Sequence, residues 1–285
     1  MKKYELIEDT KTIEVDNVIH VLHRIRATRD FTLAIDMEVH AGDLGGWIEH
    51  EDNLSHDNSA WVLDESLVFD SARVFDDAVV CLGAKVFGEA EVFNEAQVCG
   101  KVEIYDNARI CDKAKVFDNA KVYGFARVHD EAIVSQSAKV YGKAEVFGNA
   151  FVGEDAQVSG SAWIYGMARV YGESHVCGTA WVHDVAKVYG KAHVEDSAWV
   201  NGHAEIGGDA LVYQSSDYIV HKNSWSSWRW FTYTRSNKMW RVGCFYGTGK
   251  ELIAKAYKDS ELSGKCYEAV VRAQAAIDKA LRKEK

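Results

Sequence analysis

Ala138-Lys139-Val140-Tyr141-Gly142-Lys143-Ala144-Glu145-Val146-Phe147-Gly148-Asn149-Ala150-Phe151-Val152 repeats a six-residue unit, Ala-x-Val-x-(Gly/Asp/Asn)-x, and the unit extends far in both directions. From Val62 to Val212 every sixth residue is Val or Ile, 26 times without an insertion, and 23 of the residues two places earlier are Ala, the others being Ser66, Val102 and Ser174. A period of six is neither the 3.6 of a helix nor the alternation of one long strand, so it predicts a solenoid that adds a short strand and a turn per repeat. Val and Ala, two apart, point to the same side of a strand and fill a narrow interior. Gly, Asp or Asn two places after Val tolerates the positive φ of a tight corner.

Three such strands per coil close a triangular prism of 18 residues, whose columns then stack residues 18 apart. Unusual residues do cluster at that spacing: Trp163, Trp181 and Trp199 form one series, and Phe69, Phe87, Tyr105, Tyr123 and Tyr141 another. Stacked aromatic columns suit the wall of a parallel sheet. This pattern resembles the hexapeptide-repeat proteins, which implies a left-handed parallel β-helix of eight to nine coils and side-by-side homotrimers.

Outside the repeats the chain divides into 1–58, a β cap, 59–213, the β-helix, and 214–285, an α+β module. In the cap, short alternating runs separated by Asp16-Asn17 and Arg29-Asp30 predict antiparallel strands that shield the open first coil. In the module, runs around 218–221, 230–234 and 239–245 predict strands with a hairpin turn at Arg235-Ser236-Asn237-Lys238. Thr248 with Glu251 is a capping box for a short helix to about Lys258. A second helix from near Ser263 to Arg282 would bury Cys266, Val270, Ala273, Ile277, Ala280 and Leu281.

The ends carry a narrower resemblance. Gly42-Asp43-Leu44-Gly45-Gly46-Trp47-Ile48-Glu49, Asn53-Leu54-Ser55 and Trp61, with Val242-Gly243-Cys244-Phe245-Tyr246-Gly247-Thr248, are similar to a family of hexapeptide-repeat proteins of phages, prophages and other mobile elements. That family implies an accessory role in a bacterium or its virus, without an assigned activity.

Charge is unevenly placed. Residues 1–213 carry 19 Lys and Arg against 36 Asp and Glu, whereas residues 214–285 carry 14 against 7. An acidic body argues against a polynucleotide partner, which would need a broad basic surface. No apolar run approaches the length of a membrane span and the first residues lack a secretory pattern, so the expected setting is the cytoplasm of a bacterial host cell. There the six cysteines are expected as free thiols, including Cys81 and Cys99, although their 18-residue spacing makes them stacked neighbours.

The candidate site is an aromatic patch joined by a basic tail. Trp163, Tyr165, Trp181, His183 and Trp199 project from one wall over three coils, too large an apolar patch to be left bare on a monomer. A trimer partner or the protein's own module could cover it. Alternatively, with Arg229, Arg235, Trp240 and Arg241 of a tail also rich in Trp225, Trp228 and Trp230, it would form or adjoin a site for a small planar anion. The favoured reading is a binding protein without catalysis or cofactor, sequestering a nucleotide-like signal or a host protein. Acyl transfer from coenzyme A, the familiar activity of this fold, would draw a general base from His129, His175, His183 or His193, but no repeat extrudes a cleft loop. A third reading is a structural spacer. His175 and His193 could hold two metal positions but lack an evident third, and Gly247-Thr248-Gly249-Lys250 fails the phosphate-loop pattern.

Overall fold

The structure is a computed structural model that describes residues 2–225 and 228–281. It is a parallel β-solenoid of about nine coils with a β hairpin at one end and a four-stranded sheet with two helices at the other. Two-residue strands repeat along three walls. The hairpin wall runs from Leu67–Val68 to Leu211–Val212, the tryptophan wall from Arg73–Val74 to Trp199–Val200, and the docking wall from Trp61–Val62 to Glu205–Ile206. Parallel partners are 18 residues apart, as in Trp163↔Trp181 and Val134↔Val152.

Every Val or Ile of the period, and every small residue before it, is buried in the prism. Corners are made by residues in the left-handed region, among them Asp70, Asp106, Asp130, Gly160 and Asp184. Asp serves there twice: it takes the positive φ, and its carboxylate accepts the backbone N–H 18 residues on, as Asp106 does from Gly124 at 3.0 Å and Asp130 from Gly148 at 2.9 Å. These Asp corners are thereby tied to the next coil by an extra hydrogen bond.

The ladder between coils is that of a parallel sheet and runs in both directions. Backbone N–H groups donate to carbonyls of the following coil, as Trp61 does to Ala78 and Gln97 to Ala114. The first and last coils each lack a neighbour for part of their backbone groups, and buried orphans are costly. At the first end Lys3 Nζ donates to the Ala60 carbonyl at 2.7 Å, and Asn53 Nδ2 to those of Asp70 and Ala72 at 2.9 and 2.8 Å. At the other end side-chain oxygens of the module accept: Thr232 Oγ1 from Glu205 N–H at 3.0 Å, Ser236 Oγ from Leu211 N–H at 2.8 Å, and Tyr218 Oη from Asn201 N–H at 3.3 Å.

The hairpin joins β1 (Tyr4–Val15) and β2 (Val18–Ala27) through Asp16 and Asn17, both at positive φ, as the sequence predicts. Its Ile13, Val15 and Leu22 pack on Trp47, Leu67, Phe69 and Phe87. Strand Leu44–Ile48 pairs antiparallel with β2 and parallel with Leu67–Val68, so parallel stacking reaches back into the Gly-Asp-Leu-Gly-Gly-Trp stretch. The paired glycines have a steric cause: a Cβ on Gly45 would lie 2.6 Å from Ile25 Cγ1, and one on Gly46 2.6 Å from Val62 Cγ1.

Two expectations are corrected. Cys81 and Cys99 form a disulfide, because stacking in adjacent coils brings their Cα atoms to 4.6 Å, within reach of a bridge. Helix α1 (Gly249–Asp259) begins at the Thr248 capping box as anticipated, but α2 (Glu261–Leu281) buries a different face. Gly264, Tyr267 and Gln274 face inward, whereas Ile277 and Leu281 are exposed. Gly264 lies against the Tyr257 ring and Val271 against Gly249, so the seam with α1 sets the rotation of the helix. Arg282, the anticipated end of α2, lies outside the described residues.

Candidate functional site

The solenoid turns an 18-residue sequence interval into one coil-to-coil step, so the tryptophans stack as the spacing predicts. Trp163 and Trp181 have ring centroids 5.0 Å apart and Trp181 and Trp199 4.9 Å, both pairs nearly parallel. Tyr165 stacks between Phe147 and His183 at 4.9 and 4.8 Å, and its edge meets Trp181 at 6.4 Å. Trp163 and Trp199 remain 37% and 47% exposed, so the module does not cover the ladder.

The module docks on its own chain, against the next wall. Its strand Trp230–Thr234 contacts the last strand of the docking wall, and a groove of about 310 Å³ lies beside the contact. Lys187, His203 and Glu205 line the solenoid side, and Arg229, Trp230 and Arg241 the module side. The His203 imidazole stacks on the Trp230 indole at 4.3 Å and 14°. Arg241 Nε donates to Glu205 Oε2 at 2.7 Å, Lys187 Nζ to Oε1 at 3.0 Å, and the Arg241 guanidinium lies over the Tyr189 ring.

Electrostatics follow from this packing. Burial disfavours the Glu205 carboxylate, but hydrogen bonds from Arg241 and Lys187 outweigh it and hold the acid below its ordinary range. Burial likewise opposes the Arg241 charge, and the Glu205 bond more than restores it. Burial pushes the Tyr189 hydroxyl up to about 12. Three fixed cations thus face one carboxylate, and no salt bridge among the described residues engages Arg229.

The nine candidate residues fall into three places. Trp163, Tyr165, Trp181, His183 and Trp199 form the ladder, while Arg229 and Arg241 line the groove. Arg235 and Trp240 serve the module instead. Arg235 Nε forms an ion pair with Asp278 at 3.5 Å, and Asp278 accepts hydrogen bonds from Tyr233 Oη at 2.6 Å and Gln274 Nε2 at 2.7 Å. Trp240 is 2% exposed among Phe231, Tyr233 and Leu252, because the alternation of its strand turns it and Val242 inward. Its ring also borders a separate cleft of about 850 Å³ between the sheet and α2.

Lys187, His203 and Glu205 escaped the sequence reading. Their only signal is that Lys187 and Glu205 are 18 apart and of opposite charge. His175 and His193 stack at 4.8 Å, and His193 Nδ1 lies 3.0 Å from Glu195. His129 Nε2 lies 2.9 Å from Glu145, and His183 Nδ1 is 3.2 Å from Asp184. No helix among the described residues is long and apolar enough to cross a membrane. Comparison with protein-family models and with curated proteins finds no match for this chain.

Proposed function

We propose that the protein is a non-catalytic binding protein that holds a small planar anion in the groove between its module and its docking wall. The observation that carries this reading is the stacked His203–Trp230 pair beside Arg229, Arg241 and Lys187, with Glu205 the one opposing carboxylate in the groove. A planar base stacks on an indole, and guanidinium groups donate to phosphate in charge-assisted bonds. A nucleotide-like signal combines both features. The resemblance to proteins of phages and mobile elements makes sequestration of such a signal in a bacterial host's cytoplasm the accessory role, and a left-handed winding is the family's form of this solenoid.

The tryptophan ladder has a different assignment in this reading: it is the face on which copies meet, side by side, as a homotrimer of three 31.9 kDa chains. Light scattering checks this, and a monomer at micromolar concentration would refute it.

Calorimetric titration of the intact protein with a panel of linear and cyclic nucleotides tests the ligand, with acetyl-coenzyme A as the comparison. Arg229→Ala and Trp230→Ala should each weaken nucleotide binding by roughly 1–3 kcal/mol, while Trp181→Ala, outside the groove, leaves it unchanged. Binding of acetyl-coenzyme A with turnover of an amine acceptor would establish the acyltransferase reading instead. Absence of any bound nucleotide would leave a host protein or a spacer role.

A further inference from the structure

A cluster that the groove does not use lies where the hairpin meets the solenoid. His20 on β2, Glu49 just after strand Leu44–Ile48, and Asp70 at the first corner of the hairpin wall each direct one ligand-type atom to a common point, all within 4.8 Å of one another. His20 Nδ1 is 3.1 Å from both Glu49 oxygens and 3.6 Å from Asp70 Oδ1. His20 is 5% exposed, so this convergence is not an accident of mobile surface side chains.

Both carboxylates accept a backbone N–H, and the imidazole is packed on a ring. Asp70 N–H donates to Glu49 Oε2 at 2.8 Å, and Gly88 N–H donates to Asp70 Oδ2 at 3.1 Å. The His20 ring packs on Phe69 at 4.8 Å. Such outer contacts fix the direction in which a ligand presents its lone pair. With metal–ligand bonds of about 2.1 Å, two ligands stand about 3.0 Å apart at a right angle and about 3.4 Å apart at a tetrahedral angle. The separations from His20 Nδ1 to the two carboxylates, 3.1 and 3.6 Å, lie close to those values.

An ion pair of His20 with Glu49 accounts for one carboxylate, but 3.6 Å to Asp70 is too long for a second hydrogen bond. We propose that His20, Glu49 and Asp70 form a site for one divalent transition-metal ion of the zinc type. One neutral imidazole and two carboxylates supply a net charge of −2, and the nitrogen ligand favours such ions over magnesium or calcium. His50 Nε2, 3.9 Å from Glu49 Oε2 and exposed, is a further nitrogen at the rim. The ion would join three chain segments, clamping the hairpin to the first corner. A second cluster, Asp112, His129 and Asp130, is less enclosed, and its His129 is already bonded to Glu145 and stacked on Phe147.

The test uses the full chain, stripped with a chelator and titrated with zinc or magnesium in a calorimeter, with zinc counted by elemental analysis. One zinc per chain is expected, with a rise in melting temperature that magnesium does not produce. His20→Gln and Asp70→Asn should each weaken zinc binding at least tenfold and abolish that rise. Asp70→Asn keeps a side-chain oxygen for the Gly88 N–H, so its fold, checked by circular dichroism, survives even if His20→Gln does not. No zinc bound by the wild type, or equal binding by Asp70→Asn, would overturn the site.

Discussion

The ammonium of Lys3 and the carbonyl of Ala60 meet 2.7 Å apart, 57 residues distant in sequence, in a place from which water is excluded. Burial, helped by the Arg29 charge, pulls the Lys3 pKa down to about 8 from 10.5. The folded chain therefore binds fewer protons than the unfolded chain between these values, and stability should rise with pH across that window, by at most about 3 kcal/mol. The opposite sign follows for Tyr105 and Tyr189, pushed up to about 12 by burial, whose stabilisation is lost as pH climbs beyond 10. Urea denaturation between pH 8 and 10 checks the rise. Lys3→Met should remove it, and a wild type whose stability stays flat would refute the buried cation.

Gly160 and Gly202 occupy equivalent corners with unequal surroundings. Gly160 has φ +67°, and a Cβ there would lie 2.7 Å from the Gly178 carbonyl oxygen, whereas Gly202, at φ +60° on the last coil, has nothing within 4 Å. Gly202→Ala should cost only the left-handed backbone strain, about 1–2 kcal/mol. Gly160→Ala adds a backbone clash and should melt at a clearly lower temperature. Equal melting temperatures for the two variants would contradict the tight stacking of corners.

Val134 is fully buried at the centre of the prism. Val134→Asp places an unpaired charge there and should cost more than about 4 kcal/mol, beyond what a domain tolerates easily. The readout is recovery of soluble protein and its circular dichroism. A soluble variant with the parental melting temperature would reject the inward assignment.

Thiol titration of the denatured, unreduced protein should count four free groups, Cys111, Cys177, Cys244 and Cys266. Closing an 18-residue interval restricts the unfolded chain, so reduction should cost about 3 kcal/mol. Six titratable thiols would show that the Cys81–Cys99 bond does not form.

What could be read from the sequence is what the solenoid makes linear. Because each coil repeats the last, the Val and Ala columns, the stacked series from Phe69 to Tyr141 and the tryptophan ladder all follow from the period alone. The spacing of Cys81 and Cys99 is equally legible, and their proximity outweighs the expectation of free thiols in a reducing compartment. Non-repeating contacts were not legible. Glu205 reaches Arg241 across 36 residues, but Arg241 lies beyond the last repeat, where an interval of two coils no longer implies stacking, and His20 reaches Glu49 across 29, which is no multiple of the coil. The basic-aromatic tail was visible as composition, yet which arginines stay free depended on partners: Asp278 engages Arg235, while Arg229 is left to the groove.

The capping of both ends has a consequence for how this protein fails. An uncapped solenoid would present an unpaired parallel strand edge at each end, so each copy's tail would fit the next copy's head and growth would have no closing step. Lys3 and Asn53 at one end, with Tyr218, Thr232 and Ser236 at the other, act as chain terminators against a fibre. Damage to one end alone would yield, at most, a sticky face without a mate; only copies stripped at both ends could propagate.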